Sequence, residues 1–446
     1  MAKRIVKNKS AKRKSAVKRK TCTLEIDEQR IKLPVHEGTD GSKNVDISGL
    51  FKNAGIKAFN PGLADVATCR SAISFVDGEK GILLYRGYPI EELAENTTFV
   101  ETAYLLIKEH LPTLSERTTF SRQLTHLSNI HEDMKHYFEG FPSSADPMAM
   151  LSSMIIALST YHQDDLKKPT EEAFEIASTS LLAKIKTIAA FSYKKKRGEP
   201  YEYPQDDLSY CANLLYMLFD RPNKRYEIND RLVRVLNKIL ILHADHEQNC
   251  STTTVRTVGS SGANIFVSIS AGVNALSGPR HGGANQDVLR LLQRIHADGD
   301  DVQKYVRMAK DSKNKFMLPG FGHRVYRNYD PRARICKDAC DVVLDILGIH
   351  DPLLEIAKKL EEAALKDDYF IERRLYPNVD FYSCIIFSAL GLPAEMFPVM
   401  FAIGRLPGWI AHWKEAFDDP ENRIIRPGQI YTGMQKRAFI PIEKRK

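Results

Sequence analysis

This sequence predicts a mainly helical fold with a small β-rich section near its N-terminus, and three observations carry that prediction. From Thr21 to about Asp77, apolar residues alternate in short runs, such as Cys22-Thr-Leu-Glu-Ile and Ile31-Lys-Leu-Pro-Val, with Gly, Asp and Asn turns between them. After Ile90-Glu-Glu-Leu the apolar residues recur at helical spacing instead. Two stretches are almost free of charge: Thr257 to Pro279 has none, and Phe381 to Gly404 has only Glu395. The first is rich in Ser, Gly and Asn, and the second is broken by Pro393 and Pro398. Neither is the continuous apolar span of about 20 residues that crosses a membrane, so both read as buried helices of the deepest core.

The helices announce their ends. Asn229-Asp230 offers a cap before Leu232, Val235, Leu236, Ile239, Leu240 and Leu242. Gly282-Gly283 precedes Val288, Leu291, Leu292 and Ile295. Asp330-Pro331 is a cap followed by proline at the first helical position, leading into Ile335, Ala339, Val342 and Ile346. Leu353, Ile356, Ala357, Leu360 and Ala364 line a further amphipathic face. No fixed-period repeat is visible.

The chain has 446 residues, 27% charged and 43% hydrophobic, which fits neither a disordered chain nor a membrane protein. Its net charge of +8 is local: residues 1–20 hold ten Lys and Arg and no acid. The rest holds 54 basic against 56 acidic side chains, so the body is near neutral and a nucleic-acid-binding body is disfavoured. Residues 1–20 read as a solvated, disordered basic arm that could touch nucleic acid or another polyanion. The seven cysteines (Cys22, Cys69, Cys211, Cys250, Cys336, Cys340, Cys384) form no C-x-x-C element. Cys336 and Cys340 lie one helical turn apart and read as buried small side chains. This usage fits a reducing compartment, and the N-terminus lacks the apolar core of a secretory signal. A cytoplasmic address is the expectation.

Familiar nucleotide and hydrolase signatures fail. There is no Walker A loop, and Gly320-Phe-Gly322 lacks the third glycine and the preceding strand of a dinucleotide fingerprint. What remains is a set of histidines and arginines in polar or glycine-rich breaks. His243 and His246 are three apart and could share a helical face as metal ligands do, but no third ligand is near in sequence. His281, in Gly278-Pro-Arg-His-Gly-Gly283, lies at a helix N-terminus that favours neutral imidazole; a packed structural histidine competes with that reading. His323 follows Gly320-Phe-Gly322 and precedes Arg324, Arg327 and Arg332, whose forks suit carboxylates and phosphates. Asp380, in Tyr376-Pro-Asn-Val-Asp-Phe-Tyr382, heads an apolar helix, where a capping role competes with a catalytic one. Arg405 and Arg426 stand in two further motifs, Gly404-Arg-Leu-Pro-Gly-Trp409 and Arg426-Pro-Gly-Gln-Ile-Tyr431.

Together His243-Ala-Asp-His246-Glu-Gln-Asn, Gly278-Pro-Arg-His281-Gly-Gly, Gly320-Phe-Gly-His323-Arg-Val-Tyr and Pro377-Asn-Val-Asp380-Phe-Tyr closely resemble citrate synthase, of the bacterial type with a small N-terminal β region. The likeness runs from about Cys22 to Lys446. It implies a two-domain helical fold: a β-rich region over 21–77, a large helical domain over 78–277 and 391–446, and a small one over 278–390. It also implies condensation of acetyl-CoA with oxaloacetate, the entry step of the tricarboxylic acid cycle, without a metal or other cofactor. By the same resemblance Asp380 is the base for the acetyl methyl group, His281 the neutral donor to the enol oxygen, and His323 the group that polarises the ketone. His243, Arg332 and Arg405 would bind oxaloacetate, and Arg327 a coenzyme A phosphate. Arg426 would reach the neighbouring subunit's site, which makes a homodimer the minimal unit. Hexamers under allosteric NADH control occur in this group, but no cysteine lies between Cys211 and Cys250, where the NADH site would want one.

The chemistry asks for such a set. A thioester α-proton is a weak acid, so a fixed donor to the forming enol has to supply much of the barrier reduction, about 3–4 kcal/mol per donor. Oxaloacetate's two carboxylates beside a ketone call for several arginines around a histidine. The nearest competitor is 2-methylcitrate synthase, which uses propionyl-CoA. One methylene is worth only about 1–3 kcal/mol, so residues at the reacting atoms do not separate the two. A competitor of another class is a non-catalytic binding protein acting through the basic arm.

Overall fold

The computed structural model describes residues 20–167, 170–311, 313 and 316–445. The basic arm therefore lies outside the described residues, apart from Lys20. The chain divides into two compact units, one of residues up to Arg70 with the segment from Arg426, the other Ser71–Ile425.

The first unit carries an antiparallel sheet of β1 (Thr21–Ile26), β2 (Gln29–Glu37) and β3 (Lys43–Val45), in that order. The β1–β2 hairpin closes through Asp27, which takes a positive φ of 50°. Alternation places Ile31 and Leu33 on one face of β2, where they bury against Leu50. The β structure does not stop there. A second antiparallel sheet of β4 (Ser74–Asp77), β5 (Ile82–Tyr85) and β6 (Tyr88–Pro89) belongs to the helical unit. The alternating section of the sequence is thus two sheets in two units.

The helical unit forms where the caps said it would. Asn229 Oδ1 accepts from the Arg231 and Leu232 amides and starts the Asp230–His243 helix. Asp330 starts the Pro331–Leu347 helix, with Pro331 inside its first turn. The uncharged stretch from Thr257 becomes the Ile265–Leu276 helix, buried against the Cys250–Gly259, Pro147–Leu158 and Phe397–Asp418 helices. The second uncharged stretch supplies the end of the Val379–Ala389 helix and the start of Phe397–Asp418. Among the described residues no helix is long and apolar enough to cross a membrane.

One contact sets where Arg405 can stand. Pro407 lies inside the Phe397–Asp418 helix, and the Gly408 amide after it bonds to the Ala244 carbonyl just past the Asp230–His243 helix (3.2 Å). A Cβ on Gly408 would lie 2.3 Å from that oxygen, and one on Gly404 would lie 2.8 Å from His243 Cβ and 3.0 Å from the Leu240 carbonyl oxygen. These two glycines bring the helices into backbone contact around Arg405. Gly404→Ala should therefore cost about 1–3 kcal/mol by overpacking. A thermal melt of the variant checks this, and an unchanged midpoint would show that the helices can part freely.

Candidate active site

His281 sits just before the Ala284–Ala297 helix, on a turn so tight that a Cβ at Gly282 would lie 2.3 Å from the Leu276 carbonyl oxygen. The Ser251 amide donates to its Nε2 (3.2 Å), with the Ser251 hydroxyl 2.9 Å away. An amide can only donate, so Nε2 is bare and the ring proton is on Nδ1. Burial pushes the His281 pKa down to about 4, and the charges of Arg405 and Arg324 act the same way. His281 is a neutral ring offering one N–H. Ser251 is itself held, its hydroxyl 2.8 Å from Asn249 Oδ1 and accepting the Trp409 indole N–H at 3.1 Å.

His323 arrives at the opposite tautomer by the same logic. The amides of Val325 (3.0 Å) and Tyr326 (3.2 Å) both donate to Nδ1, which leaves the proton on Nε2. Burial, with Arg332 nearby, lowers its pKa to about 4. The loop before it turns through Gly320 and Gly322 at φ of 79° and 80°, a region that favours glycine. That loop is strapped to the one entering the Asp380 helix: Gly322 N–H donates to Tyr376 O (2.8 Å), Asn378 N–H to Gly320 O (2.9 Å) and Asn378 Nδ2 to Gly322 O (3.1 Å). His323 and Asp380 are thus placed by one backbone pairing. The β4–β5 turn supports it from behind, since the Arg327 amide donates to Gly78 O at 2.8 Å.

Asp380 is the second residue of the Val379–Ala389 helix, and it is not the cap. Asn378 caps, its Oδ1 accepting the Asp380 amide at 3.0 Å. The carboxylate is left for other work. Burial raises its pKa to about 6, Asp330 adds to the rise, and Arg332 and Arg405 oppose it.

The two buried arginines differ. Arg332 is already forked onto Asp330, Nε to Oδ1 at 3.0 Å and Nη2 to Oδ2 at 2.9 Å. Burial alone would weaken its hold on its proton, but Asp330 outweighs that and raises its pKa. Arg405 is 2% exposed, with Nε on the His243 carbonyl (2.6 Å) and Nη1 without a partner among the described residues. Burial lowers its pKa to about 10. A buried guanidinium with a spare donor is a place for a carboxylate.

His243 gives its Nδ1 proton to the Ile239 carbonyl (2.6 Å) and leaves a bare, buried Nε2 without a partner among the described residues. Burial takes its pKa to about 3. His246 has other neighbours: its ring lies 5.1 Å from that of His323, and its Nε2 is 3.3 Å from the Tyr326 hydroxyl. The sequence offers it only as a metal ligand with His243. Among the described residues no three His, Cys, Asp or Glu side chains group as a metal site. Arg327 is exposed, and Arg426 is an exposed residue of the other unit. Sequence reasoning also misses Asp245, fully buried, whose carboxylate accepts from the Glu247 amide (3.2 Å) and from the Ser74 hydroxyl, with His412 Nε2 3.2 Å away.

Comparison with known proteins gives this geometry a context. The family model "Citrate synthase, C-terminal domain" matches residues 62–428. Citrate synthase 1 of Mycobacterium tuberculosis is 50% identical over 425 residues, covering 95% of this chain and 99% of that one. Citrate synthase of Corynebacterium glutamicum is 48% identical over 414 residues, covering 93% and 94%. Citrate synthase from Pyrobaculum aerophilum superposes with a TM-score of 0.80 at 33% identity, covering 97% of this chain and all of that one. The Thermoplasma acidophilum enzyme, solved as a ternary complex with carboxymethyl coenzyme A and oxaloacetate, gives 0.79 at 28% identity, covering 87% and 100%.

The electrostatics of Asp380 yield a test that needs no substrate. A carboxyl raised from 3.8 to about 6 favours the folded state while protonated. That contribution is full below about pH 4 and is lost as pH climbs through about 6. Asp380→Asn never ionises, so above pH 6 it should be more stable than the parent by roughly 1–3 kcal/mol. The gap in melting temperature should open between about pH 4 and 6 and then stay level. Melts that run parallel from pH 4.5 to 8 would contradict the raised pKa.

Proposed function

The chain belongs to the citrate synthase family and is a condensing acyltransferase, and from that premise we propose how its own residues run the reaction. Asp380 removes a proton from the methyl group of acetyl-CoA. His281, neutral and with its proton on Nδ1, donates to the thioester oxygen as the enol forms. His323, neutral with its proton on Nε2, donates to the oxaloacetate ketone and makes its carbon electrophilic. The enol carbon attacks that carbon, and water then hydrolyses the citryl thioester to citrate and coenzyme A. No metal or further cofactor enters this scheme.

The observation that carries the reading is the protonation pattern. Two histidines are held neutral by burial, each bare nitrogen fixed by a backbone amide, so each has a single N–H to give. The carboxylate belonging to the same charged cluster is raised toward neutral pH, where a general base works best. Arg405, whose Nη1 has no partner among the described residues, and Arg332 would take the carboxylates of oxaloacetate, together with His243. His246 joins this set in our reading, because its ring lies against that of His323. Arg327 would meet a coenzyme A phosphate. Arg426 would complete the site of a second copy, which makes a homodimer the working unit; a hexamer, allosteric control and a cytoplasmic address extend the same reading.

The names of the close relatives favour acetyl-CoA over propionyl-CoA. A thiol-release assay with each acyl-CoA, with and without oxaloacetate, decides it: faster turnover of propionyl-CoA would make 2-methylcitrate synthase the better reading. Asp380→Asn should stay folded, bind oxaloacetate and turn over about 10²–10⁴ times more slowly. Near-normal turnover by that variant would remove Asp380 from the mechanism. Deleting residues 2–20 should leave turnover unchanged while weakening any binding to polyanions, and a soluble but inactive deletion would show that the arm has a part in catalysis.

A further inference from the structure

Glu361 lies on the Pro352–Lys366 helix and is 3% exposed, yet no step above uses it. Its Oε1 accepts the Tyr329 hydroxyl (2.7 Å), and its Oε2 accepts the Tyr382 hydroxyl (2.6 Å) and the Lys337 ammonium. Burial would raise its pKa, but these three donors outweigh burial and keep the carboxyl below its ordinary range. It is an ionised acceptor with two phenols and an ammonium closed around it.

The donors come from three places that matter to the site. Tyr329 immediately precedes Asp330, the partner of Arg332. Lys337 is on the helix that Asp330 starts. Tyr382 is two residues beyond Asp380 on the same helix. Residues two apart on a helix point about 200° apart, so Tyr382 fastens the back of the helix whose front carries Asp380. A group about 5–6 Å from a helix axis moves roughly 1 Å for each 10° of rotation. A misplacement of that size can cost about 10² in rate.

We propose that Glu361 is a positioning residue for the condensation, setting the rotation of the Val379–Ala389 helix through Tyr382 and so the place of the Asp380 carboxylate. The proposal rests on reading Asp380 as the base. It adds the acceptor that holds this base in register with the loop bearing His323 and Asp330.

The test uses the full chain with Glu361→Gln, Tyr382→Phe and the double variant, each checked for folding by a thermal melt. Each single variant should lose about 10- to 100-fold in kcat, and the oxaloacetate KM should stay within about threefold because that binding set is untouched. The acid limb of the kcat profile should move to lower pH in both, since a loosened Asp380 admits water and its carboxyl falls back toward its ordinary range. The double variant should be no slower than the worse single, as expected for two parts of one device. Lys358→Met, on the same helix as Glu361, breaks a surface pair with Asp341 of the Pro331–Leu347 helix and should change none of these. A folded Tyr382→Phe with parental kcat and acid limb overturns the proposal, and so do additive effects in the double variant or a kcat loss with an unmoved acid limb. If Glu361→Gln does not fold, Tyr382→Phe decides alone, because it leaves Glu361 bonded to Lys337 and Tyr329. Asp380→Asn run in parallel separates the two ideas: if it is slow while the other variants are normal, only this proposal falls, and if it is near normal, the reading of Asp380 falls.

Discussion

Asp330 and Arg332 form an ion pair with both side chains nearly sealed from solvent, 2% and 3% exposed. Asp330 accepts from the Arg332 amide and from two nitrogens of its guanidinium, and it also takes the Val379 amide at 3.3 Å. One carboxylate therefore caps the Pro331–Leu347 helix, neutralises a buried arginine and tethers the first turn of the helix that carries Asp380. Breaking such a pair by removing one partner typically costs about 3–5 kcal/mol, because it strands a charge in the interior. The rest of the site is arranged around this pair.

Its electrical consequence is as large as its mechanical one. The Arg332 charge lowers the pKa of His243, His246 and His323, adding to a burial effect that already favours the neutral ring. The same charge pulls Asp380 down while burial and Asp330 push it up. Neutral donors and a carboxylate poised near 6 follow from one balance, and at each of these groups burial outweighs the charges. A more exposed cluster would keep its carboxylate near about 4 and let its histidines charge near about 6.5. Dryness does most of the tuning here; the arginines add to it at the histidines and limit it at Asp380.

Much of this could be read from the residues in order. Caps are local, so Asn229 and Asp330 declared themselves, and the glycines around His281 and His323 marked places where backbone had to turn or come close. Asp380 was ambiguous because the residue two before it, Asn378, is an equally good cap, and sequence gives no rule for choosing between them. Contacts across long separations stayed hidden. His246 against His323 joins positions 77 apart in sequence, and no spacing rule reaches that far. Glu361 follows Leu360 at the edge of an ordinary amphipathic face, where a charged residue normally meets water. Only the fold reveals that two tyrosines and a lysine have closed over it. The early β section misled in a different way: alternation identifies strands, but it does not say which unit a strand joins.

Among the described residues Arg405 keeps a fully buried guanidinium nitrogen without a partner, and that spare donor couples the two halves of the proposed reaction. A buried guanidinium with a spare donor is costly until an anion arrives, and Arg405 meanwhile holds down the pKa of Asp380. A dicarboxylate bound to Arg405 and Arg332 would cancel that pull and bring new negative charge close to Asp380. Its carboxyl would then rise further, which makes it a stronger base. In the proposed reaction, binding one substrate would thus strengthen the base that acts on the other. Through linkage, any preference of bound acetyl-CoA for the strengthened carboxylate returns as tighter binding of oxaloacetate. The coupling is reciprocal, so in the proposed reaction each substrate would prepare the site for the other.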